Sequence, residues 1–297
     1  SNCRMINNVG YALQNPYSKD MLSENVRFDS CLFHDNDASQ IGGELTACVM
    51  VRGKSFTFKE CKIWGGFFYG HDAASAEDAT RFIRCDFADE SLNGQFTPLP
   101  FLIYSEQHTN FMEFDQCTFR VIHPNKRFAQ LINFNFNRPD TYVRLRDCTF
   151  TYAATHTSGW NQASVFKACV FEGQTRFINL APPSQSNASV KWIETAAIWF
   201  PGGPRPDKPN RVSVGKQIQW THGTSVNKGK TRDLFELGTE GQTSFVSFTL
   251  EENAALKIPS CQLQIHSGAS MNVQKNALLY APSSRIALEG NLTFSAG

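Results

Sequence analysis

Phe114-Asp-Gln-Cys117-Thr-Phe119 recurs along this chain. Near-copies are Phe28-Asp-Ser-Cys31-Leu-Phe33, Phe58-Lys-Glu-Cys61-Lys-Ile63, Phe82-Ile-Arg-Cys85-Asp-Phe87, Leu145-Arg-Asp-Cys148-Thr-Phe150 and Phe166-Lys-Ala-Cys169-Val-Phe171. Cys3 followed by Met5 reads as one more, truncated copy. Side chains alternate faces along a strand, so each Cys and the apolar residue two places on share a face. The Phe three places before Cys is out of phase with them. A two-residue bend, such as Asp29-Ser30 or Asp115-Gln116, brings all three to one interior. Several copies extend the alternation backwards, as in Phe56-Thr-Phe58 and Val143-Arg-Leu145. Apolar residues do not recur at helical spacing over any long window.

Successive cysteines of the pattern are 21 to 32 residues apart. A unit of that size holds two or three short strands and cannot bury an apolar face alone. Stacking the units solves this, each strand pairing with its equivalent in the next coil. The expected result is a parallel solenoid with like residues in columns and insertions at the corners.

Composition agrees. Phe supplies 25 of 297 residues, and charged residues are 19% against a usual share of about 25%. Phe therefore fills one kind of buried position repeatedly. Nine cysteines cannot all pair within the chain, and the absence of C-x-x-C or a Cys/His cluster argues against a metal site. The cysteines read as reduced core thiols of a protein folded in a reducing cytosol. A formal net charge of +1 gives no broad positive field for nucleic acid, and no run of about 18 apolar residues would insert in a membrane. No leader of signal-peptide type opens the chain. No phosphate-binding or dinucleotide motif appears, so no cofactor is expected.

The repeated register resembles the right-handed parallel β-helix of the pectate-lyase-like superfamily, most like the body of a phage tailspike or capsule depolymerase. The resemblance covers roughly residues 3 to 180. It implies an all-β, right-handed parallel β-helix of about seven or more coils over 1–180. A Pro/Gly-rich irregular coil or linker follows at 181–211, marked by Ala181-Pro-Pro and Pro201-Gly-Gly-Pro. Residues 212–297 form a C-terminal β region with a tighter rhythm, Gly or Asn standing at its corners, and it reads as a thin solenoid or a β-sandwich. The resemblance further implies a homotrimer on a virion tail or otherwise extracellular, whose partner is a bacterial surface polysaccharide.

Equivalent positions on adjacent coils lie about 4.8 Å apart, and glycosidases use carboxyl pairs about 5 Å or about 6.5–9.5 Å apart. Asp35 and Asp37 follow one repeat, while Asp89 occupies the place equivalent to Asp35 two coils on, with Glu90 beside it. These four, with Glu106 in Tyr104-Ser-Glu-Gln-His108, are the catalytic candidates. Arg84 and His123 are possible helpers for a lyase. Trp64, Tyr69 and His71 form one aromatic corner, and Tyr152 and Trp160 another; exposed rings of this kind stack on sugars. The competing readings are ordinary polar turns for the carboxylates and interior caps for the rings. The function expected is binding and depolymerisation of a surface polysaccharide, by hydrolase or lyase chemistry. The alternative is a non-catalytic adhesin or structural shaft. A third option is a pectin- or alginate-type enzyme unrelated to phages.

Overall fold

The computed structural model describes residues 2–6, 13–14, 23–34, 49–51, 53–64, 67–69, 76–88, 103–105, 111–121, 130–134, 143–152, 163–166, 169–179, 193–195, 198–203, 205–216, 218–222 and 234–295. These residues form a right-handed parallel β-helix. Three parallel sheets of eleven, ten and ten strands carry almost all of it, beside one small two-stranded sheet and a single 3-10 turn at Ala76–Asp78. Each coil passes through the third sheet, then the first, then the second. In one coil these strands are Met112–Asp115, Thr118–Val121 and Gln130–Phe134.

The repeat marks the corner between the third and first sheets. One residue makes the bend: Ser30, Glu60, Arg84, Gln116 and Asp147 all have φ between 52° and 56°. That single left-handed residue shifts the alternation by one and turns both the Phe before it and the Cys after it inward. Its N–H bonds the next coil, as from Arg84 to the Asp115 carbonyl at 2.8 Å and from Gln116 to the Arg146 carbonyl at 2.8 Å. The corners are therefore part of the ladder between coils.

Two columns of rings fill the interior. Phe58, Phe82 and Phe114 stack on the third sheet with centroids 5.1 and 4.7 Å apart. Phe87, Phe119, Phe150 and Phe177 stack on the first, 5.2, 4.6 and 4.8 Å apart. The columns meet edge to face across the corner, as between Phe114 and Phe119 at 5.4 Å and 65°. Full burial of one such ring contributes roughly 1.5–3 kcal/mol, and each ring pair about 0.5–1.5 more.

Between the columns runs the cysteine column. The Sγ of Cys61, Cys85, Cys117 and Cys148 each approaches the carbonyl of the repeat's first Phe one coil back, at 3.5, 3.3, 3.4 and 3.6 Å. A thiol fits because it is small, apolar and a weak donor. None of the seven described cysteines is in a disulfide, and among them only Cys3 is exposed. A neighbouring thiol and burial push Cys61 and Cys85 up, and burial raises Cys148 to about 12. Thiolates are therefore suppressed. Iodoacetamide at pH 8 is expected to label Cys3 in the native protein and to spare Cys31, Cys61, Cys85, Cys117, Cys148 and Cys261 until denaturant is added, as read by peptide mass spectrometry.

The truncated copy at the start takes its expected place: Arg4 and Met5 pair with Leu32 and Phe33, and Asn2 supplies the left-handed corner with φ 58°. The copy around Cys169 does not. Cys169–Glu172 is a third-sheet strand, Cys169 pairing with Val143 and Phe171 with Leu145. Its corner is Gly173, φ 66°, followed by one extra residue, and Thr175 stands in the cysteine column beside Cys148. The sequence match there is a coincidence of spacing one corner too early.

Beyond the Pro/Gly-rich punctuation the same three sheets continue. Ile193–Thr195, Ile198–Phe200 and Asn210–Val214 join the second, third and first sheets, and parallel pairing runs on to Asn291–Phe294. The described residues of 212–295 are thus coils of the same solenoid, with smaller inward residues such as Val214, Leu250 and Val273 below Phe177. Their corners use Asn253 and Asn276 in the left-handed region, and Pro259-Ser260 and Pro282-Ser283 turns with Ser at φ 57° and 56°. Proline presets the first turn position and the next residue takes positive φ.

Candidate functional site

Among the described residues the first sheet has the most strands, eleven. Its two ends differ in chemistry. Toward the N-terminal coils the outward groups satisfy one another. Trp64 donates its Nε1–H to Asp86 Oδ2 at 2.9 Å. Arg120 clamps the same carboxylate through Nε at 3.0 Å and Nη2 at 2.6 Å, and Thr118 Oγ1 donates at 2.6 Å. Lys62 and Arg120 lie 5.3 and 5.7 Å from the Trp64 ring centre, and the His34 ring meets it edge-on at 4.8 Å. Burial works to raise the Asp86 carboxyl, but the bonds from Arg120, Thr118 and Trp64 outweigh it and hold the group below its ordinary value. A carboxylate so saturated is a poor proton acceptor.

Strand alternation explains the cluster. Phe87 and Phe119 point inward, so Asp86, Thr118 and Arg120 point outward, and register sets Asp86 beside both Lys62 and Thr118. The third-sheet face is similar. Arg81 and Arg144 share Glu113 at 3.1 and 3.3 Å, and Arg146 holds Glu172 at 2.9 Å.

Toward the C-terminal coils the first sheet changes character. A cleft is lined by Gln174, Arg176, Arg211, Ser213, Ser247 and Thr249. Phe177 and Val212 point inward, so Arg176 and Arg211 point outward, and both are exposed. Arg176 sits beside Ser213, which sits beside Thr249; Arg211 lies between Gln174 and Ser247. Hydroxyl and amide groups continue along the strip through Ser270 and Asn272. This surface carries hydroxyl, amide and guanidinium groups with no ion pair among its described residues, its side-chain bonds being long ones such as Asn272 Nδ2 to Ser247 Oγ at 3.4 Å.

Of the residues anticipated from sequence, Trp64 is half-buried in the cluster around Asp86. Tyr69 ends a second-sheet strand, Phe67–Tyr69, and so lies around a corner from Trp64. Tyr152 ends the first-sheet strand Thr149–Tyr152, opposite Asn179. Arg84 is at a corner, paired with Glu60. Asp35, Asp37, Asp89, Glu90, Glu106, His71, His123 and Trp160 lie outside the described residues. The arginine cleft was missed, because the misassigned copy at Cys169 obscured which residues after it face outward. No protein-family model, curated protein or solved structure matches this chain.

Proposed function

We propose that the chain binds an extended bacterial surface polysaccharide along the outer face of its first sheet and cleaves it, as a pectate-lyase-like β-helix of the tailspike kind, working as a homotrimer. The observation that carries the reading is the change along that face from self-paired charges to an open strip of hydroxyl, amide and guanidinium groups. Parallel strands repeat that strip at about 4.8 Å, so a polymer laid across the coils meets a succession of similar subsites. The strand ends His34 and Ala88, which directly precede Asp35 and Asp89, are aligned two strands apart.

Incubation with a panel of capsular polysaccharides tests this, with product length read by size-exclusion chromatography. Shortened glycan is expected from the native protein, and at least about a hundredfold less from Asp35→Asn or Asp89→Asn. Absence of both binding and shortening across the panel overturns the reading. Binding without shortening selects a non-catalytic adhesin. That second reading has an observation in its favour: Asp86, Glu113 and Glu172 on the two described faces are each held by arginine. Light scattering checks the trimer.

A further inference from the structure

The arginines of this solenoid are mostly neutralised by design of the ladder. Arg27 pairs with Asp29, Arg81 and Arg144 with Glu113, Arg84 with Glu60, Arg120 with Asp86, Arg146 with Glu172 and Arg205 with Asp207. Four described arginines, Arg4, Arg176, Arg211 and Arg285, lack such a pair, and of these Arg176 and Arg211 stand together on one face. Neither has a carboxylate partner among the described residues, and they share one cleft. Asp147, the corner carboxylate of the preceding coil, accepts from the Gln174 N–H at 2.7 Å.

The register sets the geometry. Arg211 pairs with Gln174, two residues before Arg176, so the two arginines occupy diagonal positions on neighbouring strands. Diagonal positions on neighbouring parallel strands are about 8 Å apart, from about 4.8 Å between strands and about 6.6 Å between alternate residues, within reach of two long side chains converging on one group. Two guanidinium groups converging on one point would repel each other, and the interior beneath them is held by Phe177 and Val212. An oxyanion between them removes the repulsion and accepts their forked donors. Ser213, Ser247 and Thr249 beside them suit the hydroxyls of a sugar ring.

We infer that the Arg176–Arg211 cleft is a subsite for an anionic sugar, one carrying a carboxylate, sulfate or phosphate group. This rests on the polysaccharide reading above and names the class of polymer it favours. With only two cations in the cleft and a net charge of +1 on the chain, the charge suits single substituents spaced along a glycan better than the continuous phosphates of a nucleic acid.

Two measurements test it. In the first, binding to polygalacturonate is compared with binding to the same polymer fully methyl-esterified, which keeps the backbone and removes the charge. The acidic form is expected to bind at least about tenfold more tightly, and the Arg176→Gln/Arg211→Gln double variant to lose that advantage, while Arg285→Gln on the third sheet retains it. In the second, phenylglyoxal modification of native protein is mapped by peptide mass spectrometry. Glucuronate, sulfate and phosphate are the competing anions, and their order of protection identifies the substituent. Slower modification of Arg176 and Arg211, with Arg285 unaffected, is expected. Equal binding of the two polymers by native protein and double variant overturns the anionic subsite and leaves the polysaccharide reading standing. Protection by an anion with no polymer bound leaves the subsite standing and removes the polysaccharide reading. Protection of all exposed arginines alike, or of none, overturns the subsite, as does an oligonucleotide that binds more tightly than the acidic glycan.

Discussion

Phe114→Ala is expected to destabilise the solenoid by about 3–5 kcal/mol, the range for removing a fully buried aromatic ring from a packed core. Phe114 is 1% exposed. It stacks on Phe82 at 4.7 Å and meets Phe87 and Phe119 edge-on at 5.9 and 5.4 Å, so it joins both ring columns. The coils above and below are held in place by strand ladders and cannot collapse into the void. In a stacked array a weak unit also uncouples its neighbours. The urea midpoint is expected to fall, and the transition to broaden as the two flanking stacks melt separately. A sharp transition at the wild-type midpoint would show that the ring columns are not what couples one coil to the next.

Asp86→Asn is expected to cost about 2–3 kcal/mol at neutral pH, since four hydrogen bonds, two of them from the Arg120 guanidinium, converge on the carboxylate. Whichever way the amide turns, its NH2 faces a donor: Trp64 Nε1 and Arg120 Nη2 on one side, Thr118 Oγ1 and Arg120 Nε on the other. The pH dependence gives a second signature. The folded-state pKa of Asp86 is depressed, so its ionisation stabilises the fold above the unfolded value of about 3.9 and that contribution is lost as pH falls through the folded value. Stability should therefore decline in acid for the native protein, and the gap between it and Asp86→Asn should narrow below about pH 4. Denaturant midpoints at a series of pH values measure this. A gap that stays constant into acid would mean that Asp86 contributes only by its shape.

The architecture was legible because the repeat reports a steric need. Phe, Cys and Phe must all turn inward at each corner, and only one left-handed residue between strands satisfies them. That reading located Ser30, Glu60, Arg84, Gln116 and Asp147 within a residue of their true roles. It failed at Cys169, where the same letters span a different corner and the ladder passes to Thr175 and Val212. Asp86 was visible as a letter of the repeat but not as a hub. Its partners Trp64, Thr118 and Arg120 are 22, 32 and 34 residues away in sequence, brought together by the stacking of coils.

The chain's own letters determined the winding and the inward columns of rings and thiols. They did so because burial and alternation are local demands, repeated often enough to be counted. Which outward side chains meet was decided only by tertiary structure. Lateral neighbours in a solenoid are set by the length of every intervening loop, and one added residue after Gly173 changes which groups stand beside Arg176. Arg120 found a carboxylate across the ladder and Arg176 found a serine, a difference in register between strands that no window of sequence contains.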